Sequence, residues 1–238
     1  MKYLCLAFIT TLLLFTSCSS DTSQDLDLLL NQALSEASRT GTADYWILVD
    51  SDDYANLPNQ DPANPITREK VELGRLLFFE PGLGQNPKDD KCYETYSCAS
   101  CHIPERGFLP GRLQGIADGA IGFGENGSLR VKQHGYEFDE LDAQGTRPLS
   151  SLNVAYMTNT LWSGLFGATH VNEGTEDRWT GLAEVNHTGY MALEAQNIEG
   201  FDLHRLEIND HVLDDFGYRE LFDQAFPDFP EGERYSPV

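Results

Sequence analysis

The chain is short of positive charge: 16 Lys and Arg stand against 38 Asp and Glu, a formal net charge of −22. That balance argues against nucleic acid and anionic membrane surfaces as partners and leaves basic or neutral macromolecules. Solubility alone accounts for such acidity; steering a basic partner is the other use of it. Long hydrophobic runs are also scarce. The one apolar stretch, Tyr3 to Phe15, is interrupted by Thr10 and Thr11, and at about 12 residues it falls short of the ~20 that a spanning helix needs. No segment alternates convincingly as a strand, and there is no internal repeat. A second CxxC or a His-x-x-x-His pair is missing, so a zinc site would lack two of its ligands. Only three methionines occur, and just Met157 and Met191 lie beyond the first segment.

The segment that is apolar reads as a secretory signal over residues 1–17. Lys2 precedes the apolar part and Thr16, Ser17 and Cys18 close it. LFTSC resembles a bacterial lipoprotein processing site, at which Cys18 becomes the lipidated first residue; ordinary cleavage nearby is the alternative. Both place the mature chain in the periplasm or cell envelope, the first with membrane contact only through its lipid anchor. About 220 residues then remain, enough for one main domain.

Residues 18–60 read as a tether, a helix and a connector. Ser19 to Gln24 is small and polar. Leu26, Leu29, Leu30, Ala33, Leu34 and Ala37 recur at helical spacing between Asp25 and Arg39, and Gly41 follows. The stretch 51–65 is dense in Asp, Asn and Pro and so irregular. Thr67 is a candidate cap for a helix of about three turns, stopped by Pro81 and Gly82. From Gly107 to Gly145 glycines are frequent and apolar periodicity is weak, as in a long loop folded over something other than its own core; a bound cofactor would explain it. From Leu182 to Phe226 two or three helical patterns follow, one of them Asp210 to Phe222.

CASCH, Cys98 to His102, carries the strongest chemical signal. Two thiols three residues apart can add to the two vinyl groups of one haem, and the next histidine then ligates the iron. A thioredoxin-like pair would need a βαβ setting, which the glycine-rich surroundings do not supply. A disulfide remains open in an oxidising compartment, with Cys92 nearby. Cys92 otherwise has no role.

LGRLLFFEPGLGQ (Leu73 to Gln85), SCASCHIPERGF (Ser97 to Phe108), RPLSSLNVAY (Arg147 to Tyr156) and then Trp162 resemble the N-terminal half of bacterial di-haem cytochrome c peroxidases, whose relatives include methylamine-utilisation di-haem oxidases. The resemblance runs from about Asp61 to the C-terminus. It implies a mainly α protein with a cytochrome c-like haem domain and long irregular loops over residues 61–238. It also implies reduction of hydrogen peroxide to water, with electrons from a donor cytochrome or small redox protein. Cys98, Cys101 and His102 would hold one covalent haem c, the peroxidatic one. Trp162 would lie between two haems, or simply in a core. Asn153 would sit near an interdomain calcium. Gln196 matches the distal glutamine. For the distal acid/base glutamate the matching segment is NIEGFDLHRLE, leaving Glu207 first, then Glu199 and His204, with a solvated surface charge as the plain alternative. His134 is the candidate distal iron ligand, or an exposed loop histidine.

The chain departs from the family in having no second CxxCH. The second haem domain would then be a missing partner, and the chain a truncated or split product. The rival functions are a non-enzymatic electron carrier, a related di-haem oxidase and an inactive fragment; the scarcity of methionine weighs against a His/Met carrier.

Overall fold

The computed structural model describes residues 22–122 and 129–235. The expected signal segment and Cys18 lie outside the described residues. The chain divides into two compact units, Met1–Asp50 and Ser51–Val238, so the connector from Ser51 goes with the second. No helix among the described residues is long and apolar enough to cross a membrane.

In the first unit, helix α1 spans Thr22–Ala37, close to the expected Asp25 to Arg39. It ends where the Ser38 hydroxyl and amide both turn back to the Ser35 carbonyl. A single 3-10 turn, Ala43–Trp46, follows, and the Trp46 indole donates to the Leu34 carbonyl at 2.9 Å.

The second unit is mainly helical. Helix α2, Arg68–Phe79, starts where the Thr67 hydroxyl accepts from the Lys70 amide, the cap read from the sequence. Glu80, Pro81 and Gly82 then turn the chain into a short 3-10 segment. Helix α3 spans Ala192–Leu203, α4 Asp210–Asp215 and α5 Arg219–Ala225. The pattern expected as one run from Asp210 to Phe222 is therefore two helices. The break falls at Phe216 and Gly217: Gly217 has a φ of 77°, which glycine adopts without strain. Phe216 is drawn onto Gly82, where an added Cβ would lie 2.3 Å from its ring. Arg219 then folds back on Asp210 and Asp214.

The main core gathers Leu73 of α2, Leu83, Tyr96, Ala117, Leu206, Val212 and Leu213 of α4, and Phe222 and Ala225 of α5. Cys98 and Cys101 pack against it half-buried. A second cluster, Phe166, Val185 and Ala195, seats α3 on a 3-10 stretch, Gly181–Thr188. The helix α3 thus runs from the second cluster toward the first, and the residues after it, His204 to Leu206, lead into the core that Cys98 and Cys101 adjoin.

Among its described residues the glycine-rich region is irregular, as read, apart from one small antiparallel pair missed in the sequence, β1 (Ala120–Ile121) with β2 (Val131–Lys132). Two residues per strand are too few for a periodic signal. The region is organised by polar groups of its own. Arg130, 2% exposed, donates Nε to the Ile116 carbonyl, Nη1 to those of Thr95 and Gly122, and Nη2 to those of Ala117 and Ala120. Every N–H of the guanidinium is thereby matched to backbone. Asp118, wholly buried, accepts from the Lys88 amide, the Tyr136 hydroxyl and Arg205.

Candidate functional site

Cys98 opens a one-turn 3-10 helix, Cys98–Ser100. Ser97 and Ser100 cap each other there, the Ser97 amide donating to the Ser100 hydroxyl at 3.0 Å. Cys101 and His102 follow, both amides returning to the Cys98 carbonyl. The tight turn sets two thiols and an imidazole at one place, against α2 on one side and the Gly115 to Asp118 backbone on the other.

The thiols are free, as is that of Cys92. Burial pushes Cys98 up to about 11 and Cys101 up to about 12; for Cys101 the nearby Asp142 adds to the rise, while Arg130 opposes it. A redox-active CxxC pair needs the opposite, a lowered thiol, and no group of three or more His, Cys, Asp or Glu among the described residues could hold a metal ion.

The pattern fits a covalently held haem. The Nδ1 of His102 lies 3.2 Å from the Phe108 carbonyl, to which it can donate only as Nδ1–H. That leaves Nε2 with its lone pair, the arrangement a metal-ligating histidine adopts. Burial lowers the His102 pKa, the Phe108 and Leu149 carbonyls raise it, and nearby His204 lowers it; the net effect favours the neutral, ligand-competent ring. Phe78 of α2 lies 6.5 Å from the His102 ring and packs edge-on to Phe108 at 5.7 Å, steadying both the ring and its acceptor. Gly115 lies so close to Cys101 that a Cβ would fall 2.4 Å from its sulfur.

Among the other residues singled out in the sequence, His204 joins this site. Its Nδ1 lies 2.9 and 3.1 Å from the two carboxylate oxygens of Asp142. Gln196 is half-buried on α3, and its side chain makes no hydrogen bond among the described residues. Glu199 is half-buried, its carboxyl raised by burial first and then by Asp202 and Glu184. Glu207 is exposed, its carboxylate accepting from Asn86 at 2.8 Å. His134 is exposed. Asn153, also exposed, takes a left-handed conformation ahead of the turn Val154–Tyr156. Trp162 is fully exposed and packs in no core of the described residues. Sequence reasoning missed Asp142 and Arg130: each is one acid or base among many, and nothing local marks the backbone or histidine it meets.

A family model described as di-haem cytochrome c peroxidase matches residues 68–237. A methylamine utilization protein MauG of Methylorubrum extorquens is 42% identical over 62 residues, 26% of this chain and 14% of that protein. One of Methylophilus methylotrophus is 26% identical over 174 residues, 72% of this chain and 38% of that protein. The chain thus spans well under half the length of these curated relatives. No solved structure matches.

Proposed function

The chain belongs to the di-haem cytochrome c peroxidase family, and on that premise we propose that it is an exported c-type haem protein that reduces hydrogen peroxide to water with electrons from a donor cytochrome or small redox protein. The observation that carries this is the turn at Cys98 to His102, which offers two buried neutral thiols and a histidine whose Nδ1 is engaged by the Phe108 carbonyl. A haem held there supplies a redox iron that binds peroxide and accepts electrons.

This chain's own residues supply the setting. Cys98 and Cys101 would tether the group through their sulfurs, and His102 would offer Nε2 to the iron, while Phe78 and Phe108 hold the ring in place. Gln196, half-buried on α3 with no side-chain hydrogen bond among the described residues, suits a role in orienting peroxide. A net charge of −22 favours a basic donor and a salt-dependent encounter. Fully exposed Trp162 suits an electron entry point or contact with a second haem domain. Export follows from the signal-like first segment, with Cys18 the proposed lipid anchor and the cell envelope the proposed location.

The test is peroxide addition to the reduced protein, matured in a host that attaches c-type haem. Rapid reoxidation, monitored by the haem absorbance, is the expected result. A covalent haem that ignores peroxide would overturn the peroxidase reading in favour of an electron carrier.

A further inference from the structure

We propose that His204, oriented by Asp142, is the group that moves the peroxide proton at this site; the inference rests on the peroxidase reading and names the acid–base residue within it. The two glutamates weighed for the task are poorly placed. Glu207 is exposed and occupied by Asn86, and Glu199 sits a full turn earlier on α3, beside Glu184 and Asp202.

His204 is placed by the fold. It caps the C-terminus of α3, its amide returning to the Gly200 carbonyl. The next residues bind the haem-side core directly: the Arg205 carbonyl accepts from the buried Tyr96 hydroxyl at 2.9 Å, and Leu206 packs in the cluster that Cys98 and Cys101 adjoin. Asp142 arrives from the other side. Its backbone pairs with Ala117 and Asp118, on the strand of chain that begins with Gly115 against the Cys101 sulfur. Two elements that flank the cysteines therefore deliver the histidine and its carboxylate to each other.

The chemistry of the pair is specific. The Asp142 side chain is 1% exposed and that of His204 36%. A carboxylate can only accept, so His204 Nδ1 carries the hydrogen, and in the neutral ring Nε2 then holds the lone pair. Gln144 donates to Asp142 Oδ1 at 3.0 Å, fixing the carboxylate. Nε2 has no hydrogen-bond partner among the described residues and stays open to a small molecule. His204 is thus the catalytic residue and Asp142 a positioning one, as in other histidine–carboxylate pairs.

The step balances as follows. Nε2 takes the proton from one oxygen of H2O2 and returns it to the other. The O–O bond breaks, and the twice-protonated oxygen leaves as water. The remaining oxygen takes two electrons from the donor redox protein and two protons from solvent, giving the second water.

The test uses the haem-loaded protein and its His204→Gln, Asp142→Asn and His170→Gln variants, with two stopped-flow rates: reaction with H2O2 and binding of cyanide. Hydrogen cyanide must lose its proton to bind iron, so the second rate reads proton acceptance without peroxide turnover. His204→Gln is expected to slow both rates on the order of 10²- to 10⁴-fold with haem content unchanged. Asp142→Asn slows them about 10- to 100-fold, and His170→Gln, at an exposed histidine, leaves them alone. Wild-type rates in His204→Gln would overturn the proposal while leaving the peroxidase reading intact. His204-dependent cyanide binding in a protein that ignores peroxide would uphold the proton role and overturn the peroxidase reading. Should His204→Gln fail to load haem, His204→Asn decides by the same two rates.

Discussion

Gly115→Ala probes the site with a single methyl group. The Gly115 backbone lies outside the left-handed region, so alanine brings no dihedral strain, and the effect comes from contact alone. The new Cβ would lie 2.4 Å from the Cys101 sulfur, 2.8 Å from its Cβ and 3.0 Å from its Cα, where carbon atoms ordinarily sit about 3.5–4.0 Å apart. Side-chain rotation cannot relieve the clash, because the backbone of Cys101 is itself too close and its sulfur would be fixed by the haem. The displacement needed exceeds what a packed core absorbs freely, and overpacking of this kind costs about 1–3 kcal/mol. For a chain of this size that corresponds to a melting temperature lower by about 2–12 °C. Covalent haem per chain should fall with it, because Cys101 is moved from its place. Gly145→Ala is the control, with nothing within 4 Å of its added Cβ. The assay is haem content of purified protein together with thermal unfolding. Full haem loading and an unchanged melting temperature in Gly115→Ala would refute the packing around Cys101 described above.

Two further outcomes are expected. Arg130→Met removes the donor to the backbone carbonyls of Thr95, Ile116, Ala117, Ala120 and Gly122; leaving buried acceptors unmatched should cost about 3–5 kcal/mol, read by denaturant unfolding, and a loss under 1 kcal/mol would count against that role. In the haem-free chain, the Cys98 and Cys101 thiols are raised to about 11 and about 12. Between about pH 9 and those values the unfolded chain has lost protons the folded one keeps, so stability falls as pH rises. Haem attachment converts both thiols to thioethers and removes that contribution, so a haem-free and a haem-loaded sample with the same alkaline profile would contradict it.

The parts of the fold that were legible are those written in neighbouring residues. Thr67 caps α2 because its hydroxyl needs only the Lys70 amide one turn away, and CASCH is read from five consecutive residues. What was hidden depends on distance along the chain or on backbone partners. His204 and Asp142 are 62 residues apart, and nothing in either neighbourhood announces the other. Arg130 looks like a surface charge until its carbonyl acceptors are known. The break between α4 and α5 was masked because Val212, Leu213, Phe216 and Leu221 do fit one helical face; the attraction of Phe216 to Gly82 decides otherwise. The exposure of Trp162 could not be told from core either, since an aromatic among apolar residues suits both.

The central claim is that Cys98, Cys101 and His102 hold one covalent haem. The most direct measurement is the intact mass and pyridine haemochrome spectrum of the chain matured in a host with c-type haem attachment, alongside the Cys98→Ala, Cys101→Ala double variant. One haem mass added to the wild-type chain, with a c-type spectrum lost in the double variant, is the predicted result. A wild-type chain with no covalent haem, or a double variant that keeps it, would contradict the account.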